Sequence, residues 1–261
     1  MDLKLKGKRI VVTAASKGLG RAISEQLAME GASLIISSRS EESIQQSAKE
    51  LRSRYGVEVL ALVADVCNPE HIRQMIAQSK ERFGKVDGLV CNAGGPPSGS
   101  FLSMNDEQWE SAFQTTLMSV VRLVRGFYPL MQEHGGRILT VASSSVRLPI
   151  PGLVLSNVFR TGISGLMKTL AQELAADRIL VNTICPGRIA TDRLAELDHA
   201  QAIREHRSMD DIRHKLEKEI PLGRYGTPEE FATLAAFLLS EANSYMTGSI
   251  IMADGGMVKS L

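Results

Sequence analysis

The sequence predicts an α/β protein built on one doubly wound, seven-stranded parallel sheet with helices on both faces. Three observations carry that expectation. Short β-branched apolar runs alternate along the chain with longer amphipathic stretches, the pattern of a parallel sheet covered on both sides. The first run leads into a glycine-bearing turn and then a helical pattern, at residues 13–20. A length of 261 residues suits one large domain with a substantial core, so 1–261 is read as a single unit.

Taken in order, the strands are expected at 9–13, 33–37, 57–63, 88–91, 137–142, 180–185 and 249–252. Helical periodicity occupies 18–30, 41–54, 69–83, 106–132, 154–175 and 228–240. No internal repeat, low-complexity tract or linker interrupts this rhythm. One segment departs from it: residues 191–220 are highly charged, helical in period, and follow the sixth strand, where a doubly wound sheet opens its crevice. They are read as a mobile helical lid over a substrate.

Composition excludes several classes. Charged residues make up 23% and hydrophobic residues 44%, and the formal charge of +1 leaves no basic excess to neutralise nucleic acid. No window reaches the roughly 18 apolar residues of a membrane span, and the amino terminus lacks the apolar core of a signal peptide, so a cytoplasmic protein is expected. Cys67, Cys91 and Cys185 are odd in number, widely spaced and set among apolar residues, which points to buried thiols. His199, His206 and His214, with Asp198, Asp210 and Asp211 nearby, have spacings that place them on one helix face. They are read as part of a solvated charged lid, and no metal is expected.

The turn after the first strand reads Thr13-Ala14-Ala15-Ser16-Lys17-Gly18-Leu19-Gly20. Glycines 18 and 20 let the backbone approach a pyrophosphate, and the helix that follows offers unpaired N–H groups and a positive dipole end. The second strand ends Ser37-Ser38-Arg39-Ser40, where an NAD-binding fold places an acid on the ribose 2′-hydroxyl. Here no acid stands. Ser38 and Arg39, with Lys17 from the loop, would instead neutralise and hydrogen-bond a 2′-phosphate, so NADP(H) is preferred over NAD(H). The plainer reading makes Ser40 a helix cap and Arg39 a solvated neighbour; it explains Ser40 but not the missing acid.

These residues resemble a family. Thr13-Ala14, Gly18 and Gly20, then Asp65-Val66, Asn92-Ala93-Gly94, Ser143, Pro186-Gly187, Pro221-Leu222-Gly223-Arg224, Pro228-Glu229-Glu230 and Asp254-Gly255-Gly256 are similar, in order and spacing, to the short-chain dehydrogenase/reductases. Within that family the chain looks most like the β-ketoacyl (3-oxoacyl-carrier-protein) reductase group. The resemblance implies a Rossmann fold, a homotetramer packed through 106–132, 154–175 and the carboxyl-terminal segment, and a cofactor site formed residue by residue. The 13–20 loop, including Ser16, Lys17 and Leu19, would hold the pyrophosphate, Asp65 and Val66 the adenine, Asn92, Ala93 and Gly94 the ribose region, and Pro186, Gly187, Ile189 and Thr191 the nicotinamide. Ala14 stands where the family usually has a glycine, a small change if the local φ is negative.

The resemblance also implies a reacting group of Ser, Tyr, Lys and Asn. Ser143 is in place, but Ser156 stands at the Tyr position, Arg160 at the Lys position and Thr116 at the Asn position. None of Tyr55, Tyr128, Tyr225 or Tyr245 lies after Ser143 with a Lys four residues on. An alkyl hydroxyl is a far weaker acid than a phenol, and Arg keeps its charge, so Ser156 cannot simply replace Tyr. The expectation is an oxidoreductase acting on C=O or CH–OH groups in which Arg160 still holds the cofactor's ribose hydroxyls, Ser143 and Arg160 polarise the oxygen, and Ser156 or a water passes the proton, with Thr116 in support. A cofactor-binding protein without turnover is the alternative. The length of 191–220 points to a substrate larger than a small ketone, such as an acyl thioester. Gly95-Pro96-Pro97-Ser98-Gly99 reads equally as a wall of the crevice or as a strand ending.

Overall fold

The computed structural model describes residues 2–260. Seven strands, β1 (Arg9–Val12), β2 (Ser33–Ser38), β3 (Val59–Val63), β4 (Gly88–Cys91), β5 (Gly136–Val141), β6 (Ile179–Pro186) and β7 (Ile250–Ala253), form one parallel sheet. Their order is β3-β2-β1-β4-β5-β6-β7. The chain winds outward from β1 to β3, then crosses back to β4 on the other side of β1. The carboxyl ends of β1 and β4 therefore diverge into the crevice where such sheets bind their ligands.

Both faces of the sheet are buried, which is why the strands read as almost unbroken apolar runs. Along β1 successive side chains take opposite faces. Ile10 and Val12 join the core formed with α1 (Gly18–Met29), α2 (Glu41–Tyr55) and the helix at Pro228–Leu239. Val11 joins the core under α3 (Pro69–Phe83) and the helices at Ser119–Phe127 and Val154–Glu173. Ser40 is the cap that the plainer reading makes it, accepting the Ser43 N–H, and Asn68 caps α3 by accepting that of Glu70.

The helix expected over 106–132 is broken. α4 (Asp106–Phe113) passes through a π turn at Gln114–Met118 into α5 (Ser119–Phe127), and Tyr128–Leu130 closes with a 3₁₀ turn. Pro129 lacks the N–H that would continue the i to i−4 ladder, which accounts for the stop. α6 (Val154–Glu173) follows β5.

Residues 191–220 form two helices, α7 (Asp192–Glu205) and α8 (Met209–Lys218), before α9 (Pro228–Leu239). They carry a small core of their own, with Ala202, Ile212, Leu216, Ile220 and Tyr225. The turn between them places His206 at φ 51°. The three histidines therefore do not share a helix face: His199 is on α7, His206 in the turn and His214 on α8. Cys91 and Cys185 are buried and Cys67 half-buried, all as free thiols. Among the described residues no helix is long and apolar enough to cross a membrane.

Candidate functional site

The floor of the crevice is held by a brace between β1 and β4. Thr13, fully buried, donates from Oγ1 to the Asn92 carbonyl at 2.6 Å and accepts the Asn92 N–H at 2.9 Å. The Asn92 amide donates to the carbonyls of Thr13 and Ala14 at 3.2 and 3.3 Å. Both side chains are thus spent on loop shape, and the loop offers its backbone to a ligand.

That backbone is tight. A Cβ on Gly20 would lie 2.3 Å from the Ala14 carbonyl oxygen, so nothing larger than glycine fits there. Gly18 has φ +59°, and Ala14 has φ +50°. The small steric cost expected for Ala14 assumed a negative φ; in the left-handed region its methyl costs roughly 1–2 kcal/mol, which the Asn92 amide and the close packing of Gly20 sustain. Lys17 occupies the N-cap of α1 with extended backbone and no side-chain cap, so the first N–H groups of α1 stay free for an anion. Ser16 supplies its carbonyl to the Ser47 hydroxyl, and Leu19 packs on the core.

At the far end of β2, Ser38 is buried and donates to the Ser40 carbonyl at 3.0 Å. Arg39 and Lys17 are exposed and make no ion pair among the described residues. Asp65 accepts the Cys67 N–H at 2.9 Å in a turn that carries Val66 into the core below. Ala93 packs partly on that core, and no atom would crowd a Cβ on Gly94.

The wall after β5 is made of side chains. Past β5, Ser143 begins a 3₁₀ turn, Ser144–Val146, and its Oγ accepts the Ser145 N–H at 3.1 Å. Its own proton is therefore free to point into the crevice. Ser156, in the first turn of α6, is buried with its Oγ 3.5 Å from that of Ser145. One turn further on, Arg160 is buried and donates from Nη1 to the Val141 carbonyl at 2.5 Å. Its Nε and Nη2 have no protein partner yet are not sealed, and no carboxylate pairs with it among the described residues. Burial pulls its pKa down to about 10, which leaves the guanidinium charged at neutral pH. Beside it lies a small cavity of about 10 Å³, lined in part by Asn92, Thr116, Thr140 and Arg160, room for about one water. The π turn holds Thr116 there with its hydroxyl buried and without a partner.

The wall after β6 brings Pro186, Gly187, Ile189 and Thr191 across the crevice. Gly187 packs so closely on Asp254 that a Cβ would lie 2.6 Å from the Asp254 Cα. Ile189 is buried, and Thr191 caps α7 by accepting the Leu194 N–H at 3.3 Å. The Thr191 methyl reaches to 4.0 Å from the Cβ position of Gly18, so this wall stands against the phosphate loop.

Three residues to which the sequence reading gave no place in the crevice fix this wall. Arg188 pairs with the buried Asp198 of α7 at 2.9 Å, and the Tyr225 hydroxyl donates to the same carboxylate at 2.9 Å. Nothing in the spacing of these residues advertises the contact. The 95–99 loop proves to be a crevice wall: Gly99 N–H donates to the Gly152 carbonyl at 2.7 Å, and Arg193 of α7 donates to the Pro96 carbonyl at 2.8 Å.

A doubly wound sheet with a glycine-tightened turn and an uncapped helix N-terminus at its switch point defines a dinucleotide-binding α/β protein. The residues present fit such a ligand: a cradle that a Cβ at Gly20 would fill, cations at Lys17 and Arg39 without an ion pair among the described residues, and open donors on Arg160. The chain belongs to the short-chain dehydrogenase/reductase family, a family of oxidoreductases, and residues 13–258 match the family model described as enoyl-(acyl carrier protein) reductase. It is 34% identical to a 3-oxoacyl-[acyl-carrier-protein] reductase of Aquifex aeolicus, over 98% of this chain and 100% of that protein. Its identity to dehydrogenase/reductase SDR family member 4 of Caenorhabditis elegans is 32%, over 97% and 96%. Among solved structures, L-sorbose reductase of Gluconobacter frateurii, complexed with NADPH and L-sorbose, superposes with a TM-score of 0.95 at 33% identity, covering 100% of both chains. YwfH, an NADPH-dependent reductase involved in bacilysin biosynthesis, gives 0.94 at 28% identity, over 98% and 100%.

Proposed function

We propose that this protein is an NADP(H)-dependent oxidoreductase of C=O and CH–OH groups whose proton relay differs from the Tyr–Lys arrangement its family resemblance implies. The observation that carries the proposal is Arg160: a buried guanidinium, without a carboxylate among the described residues, one helical turn from Ser156 and in the same crevice as Ser143. When bound, the nicotinamide supplies or accepts the hydride. Ser143 donates a hydrogen bond from its hydroxyl to the substrate oxygen and keeps its proton, while its Oγ accepts the Ser145 N–H. Arg160, held by the Val141 carbonyl, places a fixed positive charge where negative charge develops on that oxygen. Ser156, or a water in the space a phenol ring would fill, passes the proton, and Thr116 with the small cavity beside Arg160 offers a place for a second water.

The preference for NADP(H) rests on Arg39 and Lys17, two cations without an ion pair among the described residues, flanking the place a 2′-phosphate would occupy. The relatives named as 3-oxoacyl reductases support a 3-oxoacyl-like substrate. For assembly we propose a homotetramer, because Phe101, Leu102 and Val158 beside α4 and α6, and Tyr245 and Met246 near the carboxyl terminus, expose large apolar side chains. The test of function is NADPH consumption against a carbonyl panel that includes 3-oxoacyl thioesters, in the natural protein and in a Ser156→Tyr/Arg160→Lys double variant. Activity in the natural protein that falls in the variant supports the altered relay. A silent natural protein that binds NADPH would overturn it and make the chain a cofactor-binding sensor or partner subunit.

A further inference from the structure

The loop that joins Ser143 to Ser156 is held at its middle by the side chain of Asn157. Residues 149–151 read Pro-Ile-Pro, so Ile150 carries the one backbone N–H of the three. Asn157 answers both polar groups of that residue: its Oδ1 accepts the Ile150 N–H at 3.1 Å, and its Nδ2 donates to the Ile150 carbonyl at 3.0 Å. A single side-chain amide thus pairs with Ile150 as a neighbouring strand would. Asn is a poor choice inside a helix, because its amide competes for backbone groups. Nor does it serve as the cap here, since the N-cap of α6 is Leu153.

From Ile150 the contact travels outward. The Leu153 N–H donates back to the Ile150 carbonyl at 3.2 Å across Pro151-Gly152, and Gly152 has φ +75°, the tight turn that Pro and Gly favour at those two positions. Gly152 in turn accepts the Gly99 N–H at 2.7 Å, and Leu153 bridges to Gly99 in parallel register. On the other side, Arg204 Nη1 of α7 stands 3.4 Å from where a Cβ on Gly152 would lie. Arg193, near the start of α7, donates to the Pro96 carbonyl at 2.8 Å. The 95–99 loop, the 150–153 turn and α7 therefore meet in one rim. The side chain that ties this rim to α6, the helix of Ser156 and Arg160, is that of Asn157.

We propose that Asn157 is a positioning residue for the substrate wall: by fixing Ile150 it sets where the Pro151-Gly152 turn stands, and so how the rim shuts over Ser143 and Ser156. It acts through the loop, not on the reacting atoms. The turn is stiff within itself, so without the amide it shifts as one piece and takes the 95–99 loop bonded to it along. The loss then falls on how tightly a substrate is held more than on the reacting step. That a carbonyl compound enters by this rim rests on the oxidoreductase reading above; the clamp rests on its two hydrogen bonds.

The test compares the full natural chain with Asn157→Ala and Asn157→Asp, by hydrogen–deuterium exchange read by mass spectrometry and by steady-state kinetics. The kinetic probe is 3-oxobutanoyl coenzyme A or, if it does not turn over, the fastest member of the carbonyl panel. In Asn157→Ala, exchange across 147–153 and 95–99 is expected to quicken about tenfold. KM should rise about tenfold, with kcat within about threefold and the NADPH dissociation constant within about twofold. Asn157→Asp keeps an acceptor for the Ile150 N–H and should recover part of both changes; it also carries the test if the Ala variant does not fold. The proposal is overturned if exchange across 147–153 is unchanged, if KM holds while exchange quickens, or if kcat and NADPH affinity fall as far as KM rises. Failure of the oxidoreductase reading is separately visible: no panel member consumes NADPH, while loss of the amide still quickens exchange across 147–153 and supports the clamp.

Discussion

The phosphate loop at 13–20 and the wall from Ser143 to Arg160 face the same crevice but are made from different materials. The loop works with backbone: Thr13 and Asn92 are spent on bracing it, and its key positions are defined by what cannot be added, as at Gly20. The wall works with side chains: two hydroxyls and one guanidinium, each positioned by a backbone partner or a neighbouring hydroxyl. A backbone site tolerates little gain of atoms, whereas a side-chain site is sensitive to their loss.

The largest expected effect lies on the wall. Ser143→Ala should lower turnover by about 10²-fold or more, from the lost hydrogen bond to the substrate oxygen, with the dissociation constant of NADPH within about twofold. Steady-state kinetics paired with fluorescence titration checks it, and an equal loss in both would erase the distinction between the two regions. On the loop, Gly20→Ala should cost about 1–3 kcal/mol of stability, because the new methyl meets the Ala14 carbonyl, and should weaken NADPH together with folding. Thermal unfolding with and without cofactor reads both. Arg39→Asp should weaken NADPH about tenfold while leaving NADH nearly unchanged; parallel losses would remove the 2′-phosphate argument. The smallest effect has the opposite sign: Ala14→Gly should raise stability by about 0.5–1 kcal/mol, since relief of left-handed strain outweighs the added freedom of the unfolded chain. Urea unfolding that shows a loss there would mean that the methyl packs usefully.

The loop was the more legible region. Strand ends fell within a few residues of their expected places because period and composition mark them directly, and Gly18 and Gly20 announce a tight turn. The sign of φ at Ala14 was not legible, since it follows from the brace that Asn92 supplies from a strand almost eighty positions away. The same holds for Arg188, Asp198 and Tyr225, which meet only in the folded chain. The end of α5 was legible and missed, because Pro129 marks it. The break between α4 and α5 was not, as Gln114–Met118 contains neither Gly nor Pro and continues a helical pattern without interruption.

That π turn has a consequence for phase. A wider turn accommodates about one residue more than α geometry would, and each residue of an α-helix advances the azimuth by about 100°. Adding one more residue between Gln114 and Met118, beyond the one the wide turn already absorbs, would therefore swing α5 by about that angle against α4, carrying Val120, Leu123 and Phe127 out of the sheet's core. In this stretch the count of residues, more than their kind, decides which flank of α5 is oily.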